Sequence, residues 1–254
     1  TLDQMSGGRL GLNVVAGWNK PEYDAFGIDL PSDHSDRYAM AQEWFDYVQK
    51  LWTADTAFDW DGNFYQGKGV YSLPHPVQPK MPIINAAGSE EGRVFAMRNA
   101  DFLFTPVFDF DQAKATAADI TERAASVGRK VDVLTLCTVV CRPTQQEAED
   151  YLNWYAEEQA DWEAVDNLMT LQGMHAQSFT PEALALYRDR MAAGHGGFPL
   201  VGTPDTIADL LEKLSVAGIA GTTLAFVDYA KEFPYFRQEV LPRLEAKGLR
   251  QPVN

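Results

Sequence analysis

Five short apolar runs, each rich in β-branched or aromatic residues and each followed by a helical stretch, constrain this chain more than any other feature. The runs are Arg9 to Ala16, Pro82 to Ala87, Phe102 to Phe108, Val133 to Cys141 and Gly221 to Val227. Strands that read as nearly continuous apolar runs are covered on both faces, and their alternation with helices is the pattern of a parallel sheet joined by crossover helices. The helical stretches carry matching end signals. Asp36 to Thr53 places Met40, Trp44, Val48 and Leu51 on one face, with Ser35 available as N-cap. Asp111 to Val127 stops at Gly128, a usual helix-ending residue. Thr144 to Asp161 opens with T-Q-Q-E, a capping-box pattern, and Thr203 with Pro204 marks the start of another helix.

Two stretches interrupt the repeat. Phe58 to Pro82 reads as a small hairpin around Asp61-Gly62 followed by a proline-stiffened connection. Asp161 to Pro199 is too long for an ordinary connection and ends in A-A-G-H-G-G-F-P, so it reads as an insertion, either static or able to move over a site. A closed barrel needs eight strands, of which five are visible. The opening T-L-D-Q-M-S reads as the end of a helix already under way. The expectation is therefore a single TIM (β/α)8 barrel domain over 1–254, N-terminally incomplete, with about three βα units, roughly 90 residues, absent. An open five-stranded sheet is the alternative.

At 254 residues and 46% hydrophobic content the chain can bury a substantial core. Its 36 acidic against 21 basic residues give a net charge of -15, which repels nucleic-acid phosphates and anionic membrane surfaces. No apolar stretch approaches the ~20 residues that span a bilayer, and no basic segment precedes an apolar one at the N-terminus, so a soluble cytoplasmic protein is expected. Cys137 and Cys141 lie about 13 Å apart along one strand, which excludes a disulfide between them and leaves two buried thiols.

Asn13 is the polar anomaly of the first run, on a face shared with Gly11 and Val15 near the strand's C-terminal end. An amide buried there needs a partner, either backbone or water on one reading or a ligand on the other. After the second run, N-A-A-G-S-E-E-G-R places Gly88 and Ser89 at a helix start, where free amides, a hydroxyl and the positive dipole end suit a phosphate. Ser89 as an ordinary N-cap is the plainer reading, and Glu90 and Glu91 would repel a nearby anion. His34, Arg37 and Tyr38 open the first long helix, where they reach the same anion or form a solvated helix start with Asp33 and Asp36. Glu22, between Pro21 and Tyr23, binds a polar ligand edge or faces water. His75, His175 and His195 stand alone without metal-ligand spacing, so no metal is expected. Nucleophile-elbow, Walker and dinucleotide fingerprints are missing from the sequence.

Taken together, S-G-G-R-L-G-L-N-V-V-A-G-W, D-H-S-D-R-Y, A-A-G-S and the late P-L-V-G-T-P resemble the bacterial luciferase-like flavin monooxygenases, over Thr1 to about Arg250. Within that family C-R-P-T-Q-Q-E-A-E and E-F-P-Y-F-R-Q-E-V-L-P-R-L resemble the dimethylsulfone type, beside the alkanesulfonate and pyrimidine types. The resemblance implies a two-component enzyme that takes reduced FMN from a separate NAD(P)H-dependent flavin reductase and uses molecular oxygen to oxidise a small organosulfur compound. A pyrimidine or other heteroatom substrate, a deazaflavin-dependent oxidoreductase and a catalytically silent flavin-binding protein are the alternatives. Carried over by position, Asn13 lies by the flavin ring and the oxygen site and Glu22 by the flavin or its ribityl chain. Arg37, Tyr38, Gly88 and Ser89 lie around the FMN phosphate. Pro106, Leu136 and Thr138 stand where the alkanesulfonate enzymes have a tryptophan, an arginine and a histidine, which disfavours a strongly anionic substrate. Relatives form dimers or tetramers, so a homodimer or homotetramer is expected.

Overall fold

The structure, a computed structural model, describes residues 1–173 and 180–252. It is an α/β protein with a mostly parallel sheet, and it divides into two compact units, Thr1–Leu103 with Arg123–Val131 and Phe104–Glu122 with the chain from Asp132 onward.

The first unit begins with α1 (Leu2–Ser6), closed by Gly7 at φ 66°. There follow β1 (Leu12–Val14), α2 (Lys20–Ala25), α3 (His34–Thr53), β2 (Phe58–Asp61), β3 (Gln66–Val70), β4 (Ile83–Ala86), α4 (Glu90–Asn99) and β5 (Phe102–Phe104). β1 and β4 pair in parallel, with Leu12 opposite Ile83, Asn13 opposite Ile84 and Val14 opposite Asn85. β2 and β3 form the antiparallel hairpin expected around Asp61-Gly62. Its turn is held from α3, because the Glu43 carboxylate accepts the backbone N–H groups of Asn63 at 2.9 Å, Phe64 at 3.1 Å and Tyr65 at 2.8 Å. The Asp3 carboxylate similarly ties α1 to the proline-rich connection, accepting the amides of Val77 at 2.6 Å and Gln78 at 3.2 Å. α3 starts earlier than the periodicity suggests. Asp33, rather than Ser35, is the N-cap, and its Oδ1 accepts the Ser35 N–H at 2.8 Å, since a carboxylate satisfies the first turn and complements the dipole at once. α3 meets α4 through Phe95, whose ring touches those of Tyr38 and Phe45.

The elements continue with α5 (Phe110–Ser126), β6 (Asp132–Cys141), α6 (Gln145–Asn153), a π-helical turn at Trp154–Glu158, α7 (Trp162–Leu171), α8 (Pro181–Gly194), β7 (Phe198–Gly202), α9 (Pro204–Val216), β8 (Ile219–Ala225) and α10 (Tyr229–Ala246). In the second unit β6 pairs in parallel with both β7 and β8. All five sequence-expected strands are present with shifted ends. β7 is an addition that periodicity missed, because Pro199 weakens its strand signal and it closes the stretch read as an insertion. The described parts of that stretch are packed helices: Met169 of α7 and Tyr187 and Met191 of α8 bury together against Phe108. Its residues 174–179, His175 among them, lie outside the described residues. The Thr144 capping box forms as expected, with the Thr144 N–H donating to Glu147 at 3.0 Å and the Glu147 N–H to Thr144 Oγ1 at 3.2 Å. Cys137 and Cys141 are free, buried thiols. Among the described residues no helix is long and apolar enough to cross a membrane.

Candidate functional site

Ser89 closes the A-A-G-S turn in an extended conformation, and its Oγ accepts the Gly92 N–H at 3.2 Å while its carbonyl accepts the Arg93 N–H at 3.0 Å. It is thus an N-cap in fact. The Glu90 and Glu91 amides take no part in these bonds. As the first donors of α4 they remain for an acceptor beyond the helix, beside the positive end of its dipole. Gly88 just before them is exposed, and nothing lies within 4 Å of where its Cβ would stand, so the turn is open.

Tyr38 reaches this helix start from α3. A Cβ on Gly92 would fall 2.4 Å from Tyr38 Oη and 2.5 Å from the Ala87 Cβ, so the phenol rests on the bare Cα of Gly92. The Ser89 side chain lies near enough to this phenol to oppose the rise of its pKa. Burial pushes the Tyr38 pKa above its ordinary value, aided by Glu91 and opposed by the nearby Ser89 hydroxyl and the Arg37 charge. Tyr38 is therefore a neutral O–H donor across the physiological range. Arg37 is half-buried, and its Nε has no hydrogen-bond partner among the described residues. The repulsion expected from Glu90 is reduced by Arg123, whose Nη1 donates to Glu90 Oε2 at 3.1 Å and whose guanidinium holds that carboxyl below its ordinary range.

The fold therefore brings Tyr38, Gly88 and Ser89 to one helix start, with Arg37 beside Tyr38 at the start of α3, and leaves the other two candidates outside that cluster. Asn13 is on an exposed face of β1, with Gly11 and Val15. The expectation of a buried amide is corrected accordingly: the strand's covered side is the one bearing Val14. Glu22 is exposed in the first turn of α2, where its carboxylate sits at the positive end of the helix dipole. The fully buried asparagine is instead Asn85 of β4, which the sequence reading passed over although I-I-N-A carries the same signal of an amide in an apolar run. Gly92 was also missed; a lone glycine early in a helix was its signal.

A cavity of about 580 Å³ adjoins the cluster, bordered by Tyr38, Phe64, Glu90, Glu91 and Val94. Its carboxylates make it unsuitable for an anion, so the anion-binding capacity rests with the helix start itself. Elsewhere, Thr138 is buried with its hydroxyl donated to the Gly194 carbonyl at 3.1 Å, and Leu136 is half-buried. Neither supplies positive charge. His195 is exposed and caps α8 at φ 55°, and His75 is half-buried against Tyr71. Among the described residues no group of three or more histidines, cysteines or carboxylates is placed to hold a metal.

A parallel α/β fold with an open strand-to-helix turn, an N-capping serine and a half-buried phenol at the helix start is an arrangement suited to an anion. Residues 1–221 match the luciferase-like monooxygenase family, and the chain belongs to it. It is 32% identical over 250 residues to an FMNH(2)-dependent dimethylsulfone monooxygenase of Pseudomonas putida, covering 95% of this chain and 68% of that protein. It is 30% identical over 259 residues to a pyrimidine monooxygenase, RutA, of a Bradyrhizobium species, covering 98% of this chain and 70% of the relative. Among solved structures the fold is similar to that of DmoA from Hyphomicrobium sulfonivorans, with a TM-score of 0.84 at 23% identity, covering 98% of this chain and 64% of that one. A riboflavin lyase solved with modified FMN and riboflavin gives a TM-score of 0.85 at 23% identity, covering 98% of this chain and 66% of that chain. The chain thus spans about two thirds of the length of these relatives.

Proposed function

We propose that this chain belongs to a monooxygenase that uses reduced FMN and molecular oxygen to oxidise a small, neutral organosulfur compound of the dimethylsulfone class. A separate NAD(P)H-dependent reductase delivers the flavin. In this reading the chain contributes the later strands of one eight-stranded barrel domain, and the enzyme assembles as a homodimer or homotetramer. The observation that carries the proposal is the convergence of Tyr38 and Ser89 on the open start of α4.

The residues present fit the phosphate of FMN. Tyr38, kept protonated by burial, would donate to the phosphate, as would the first amides of α4, and Arg37 would supply the countercharge. Gly88 lets the phosphate approach the backbone, and Ser89 orients both the helix start and the phenol. Asn13 addresses the ring end of the flavin and Glu22 its ribityl chain. Reduced FMN, when bound, would supply the two electrons needed for one atom of dioxygen to enter the substrate while the other leaves as water. Neutrality of the substrate is supported by Leu136 and Thr138, which offer no cation.

Incubating the protein with reduced FMN, oxygen and dimethylsulfone is expected to consume the sulfone beyond the uncoupled background. No turnover of any sulfone would remove the substrate assignment, and turnover of uracil instead would establish the pyrimidine reading, which similarity to the pyrimidine monooxygenases keeps in second place. Combined Tyr38→Phe and Ser89→Ala substitution is expected to weaken FMN binding at least ~10-fold, the loss of roughly one charge-assisted hydrogen bond. Unchanged affinity would overturn the cradle.

A further inference from the structure

We infer that Asn85 is a positioning residue that fixes the spacing between the two ends of the flavin site, an inference that rests on the cradle proposed above. Asn85 is fully buried, and its Nδ2 donates to the Val14 carbonyl at 2.7 Å. Val14 is the last residue of β1 and stands opposite Asn85 in the parallel register, so this side-chain bond ties the two strands together where the β1 ladder ends. The position is demanding. Its Oδ1 is buried without a hydrogen-bond partner, a penalty that leucine, of nearly the same shape, would not carry. An amide held at such a place is explained by what its one bond joins.

That bond links the two chain segments on which the site is built. Asn13 precedes Val14 directly, and Asn85 leads through Ala86 to Ala87, which is buried against the Gly92 backbone beneath the Tyr38 phenol. Ser89 follows two residues later. The separation between Asn13 and the Ser89 turn is thus set by the short β1–β4 ladder, which the Asn85 bond extends at its end, and by one packed alanine. Without the amide, the β1–β4 ladder still pairs the strands, but its end nearest the site loses a tie, and the span between the two ends loosens. The effect falls on ligands that engage both ends, because linked contacts strengthen one another only when their geometry permits simultaneous engagement.

FMN differs from riboflavin by its phosphate, so the pair measures the span. Anaerobic titrations of reduced FMN and reduced riboflavin, followed by tryptophan fluorescence, should show FMN favoured in the unaltered protein. In Asn85→Leu the FMN to riboflavin affinity ratio is expected to fall about 10-fold while riboflavin affinity changes less than about 2-fold. Asn85→Thr, smaller and less disturbing should the leucine variant fail to fold, is expected to lower the same ratio. A merely structural role weakens both ligands alike or neither, and either result overturns the inference. If the unaltered protein shows no preference for FMN, the cradle itself fails, an outcome distinct from a preference that survives both Asn85 substitutions.

Discussion

Replacing Gly92 by alanine pits two effects of opposite sign against each other. In a helix, alanine is favoured over glycine by up to about 1 kcal/mol, so propensity alone predicts a more stable protein. The added Cβ, however, would lie 2.4 Å from Tyr38 Oη and 2.5 Å from the Ala87 Cβ, against ordinary contact beginning at 3.4 Å. The two overlaps do not yield equally. The phenol is the far end of a side chain and can swing away, whereas the Ala87 Cβ moves only with the backbone of the turn. Overpacking of this kind costs about 1–3 kcal/mol, so a net destabilisation of about 1 kcal/mol is expected. Binding should suffer more than stability, because the displaced phenol loses its place beside Ser89, and FMN affinity should drop about 10-fold. Urea unfolding gives the first quantity and anaerobic FMN titration the second. Tyr38→Phe removes the Oη overlap, so the double variant should regain part of the stability, a coupling that separates this mechanism from an unrelated defect. A Gly92→Ala protein that is more stable and binds FMN normally would refute the reasoning.

Three other expectations follow from the packing and the charges. Glu232, its side chain 9% exposed, accepts Arg142 Nη2 at 2.5 Å and the Val227 amide at 3.1 Å, so Glu232→Ala should destabilise by about 3 kcal/mol in denaturant titration, and a loss near zero would show the pair to be dispensable. Burial raises the Glu43 carboxyl, but hydrogen bonds from Tyr65, Phe64, Trp60 and Asn63 outweigh it and hold the group below its ordinary 4.5. Its contribution is therefore complete above about pH 4.5 and is lost as pH falls through the lowered folded value, so the acid side of the stability profile should flatten in Glu43→Gln. An acid limb identical to that of the parent would contradict this. Burial pushes the thiols of Cys137 to about 12 and Cys141 to about 11, so neither should react with iodoacetamide at neutral pH until the protein unfolds. Stoichiometric labelling of the native protein, read by mass, would oppose that.

How far the site could be read from sequence depended on whether its cause was local. Ser89 and Tyr38 sit at a strand-to-helix turn and a helix start, where the chemistry of a few adjacent residues dictates the backbone, and both were legible. The Thr144 capping box and the hairpin at Asp61-Gly62 were legible for the same reason. The identity of the buried asparagine was not, because Asn13 and Asn85 each interrupt an apolar run and differ only in which side of the sheet is covered. That is settled by a register, Val14 opposite Asn85, between residues 71 apart in the chain. Periodicity assigns alternate residues to opposite faces but does not say which face the helices cover, and a slip of one residue exchanges them. β7 escaped for a related reason: Pro199 reads as a strand breaker until its neighbour β6 is known to pair alongside it. Gly92 belongs to the same class, since only the arrival of Tyr38 from α3 makes its missing Cβ a requirement. The proposed cradle is thus written locally in A-A-G-S and D-R-Y, while the contacts that pack around it are written in pairs of residues that the fold alone brings together.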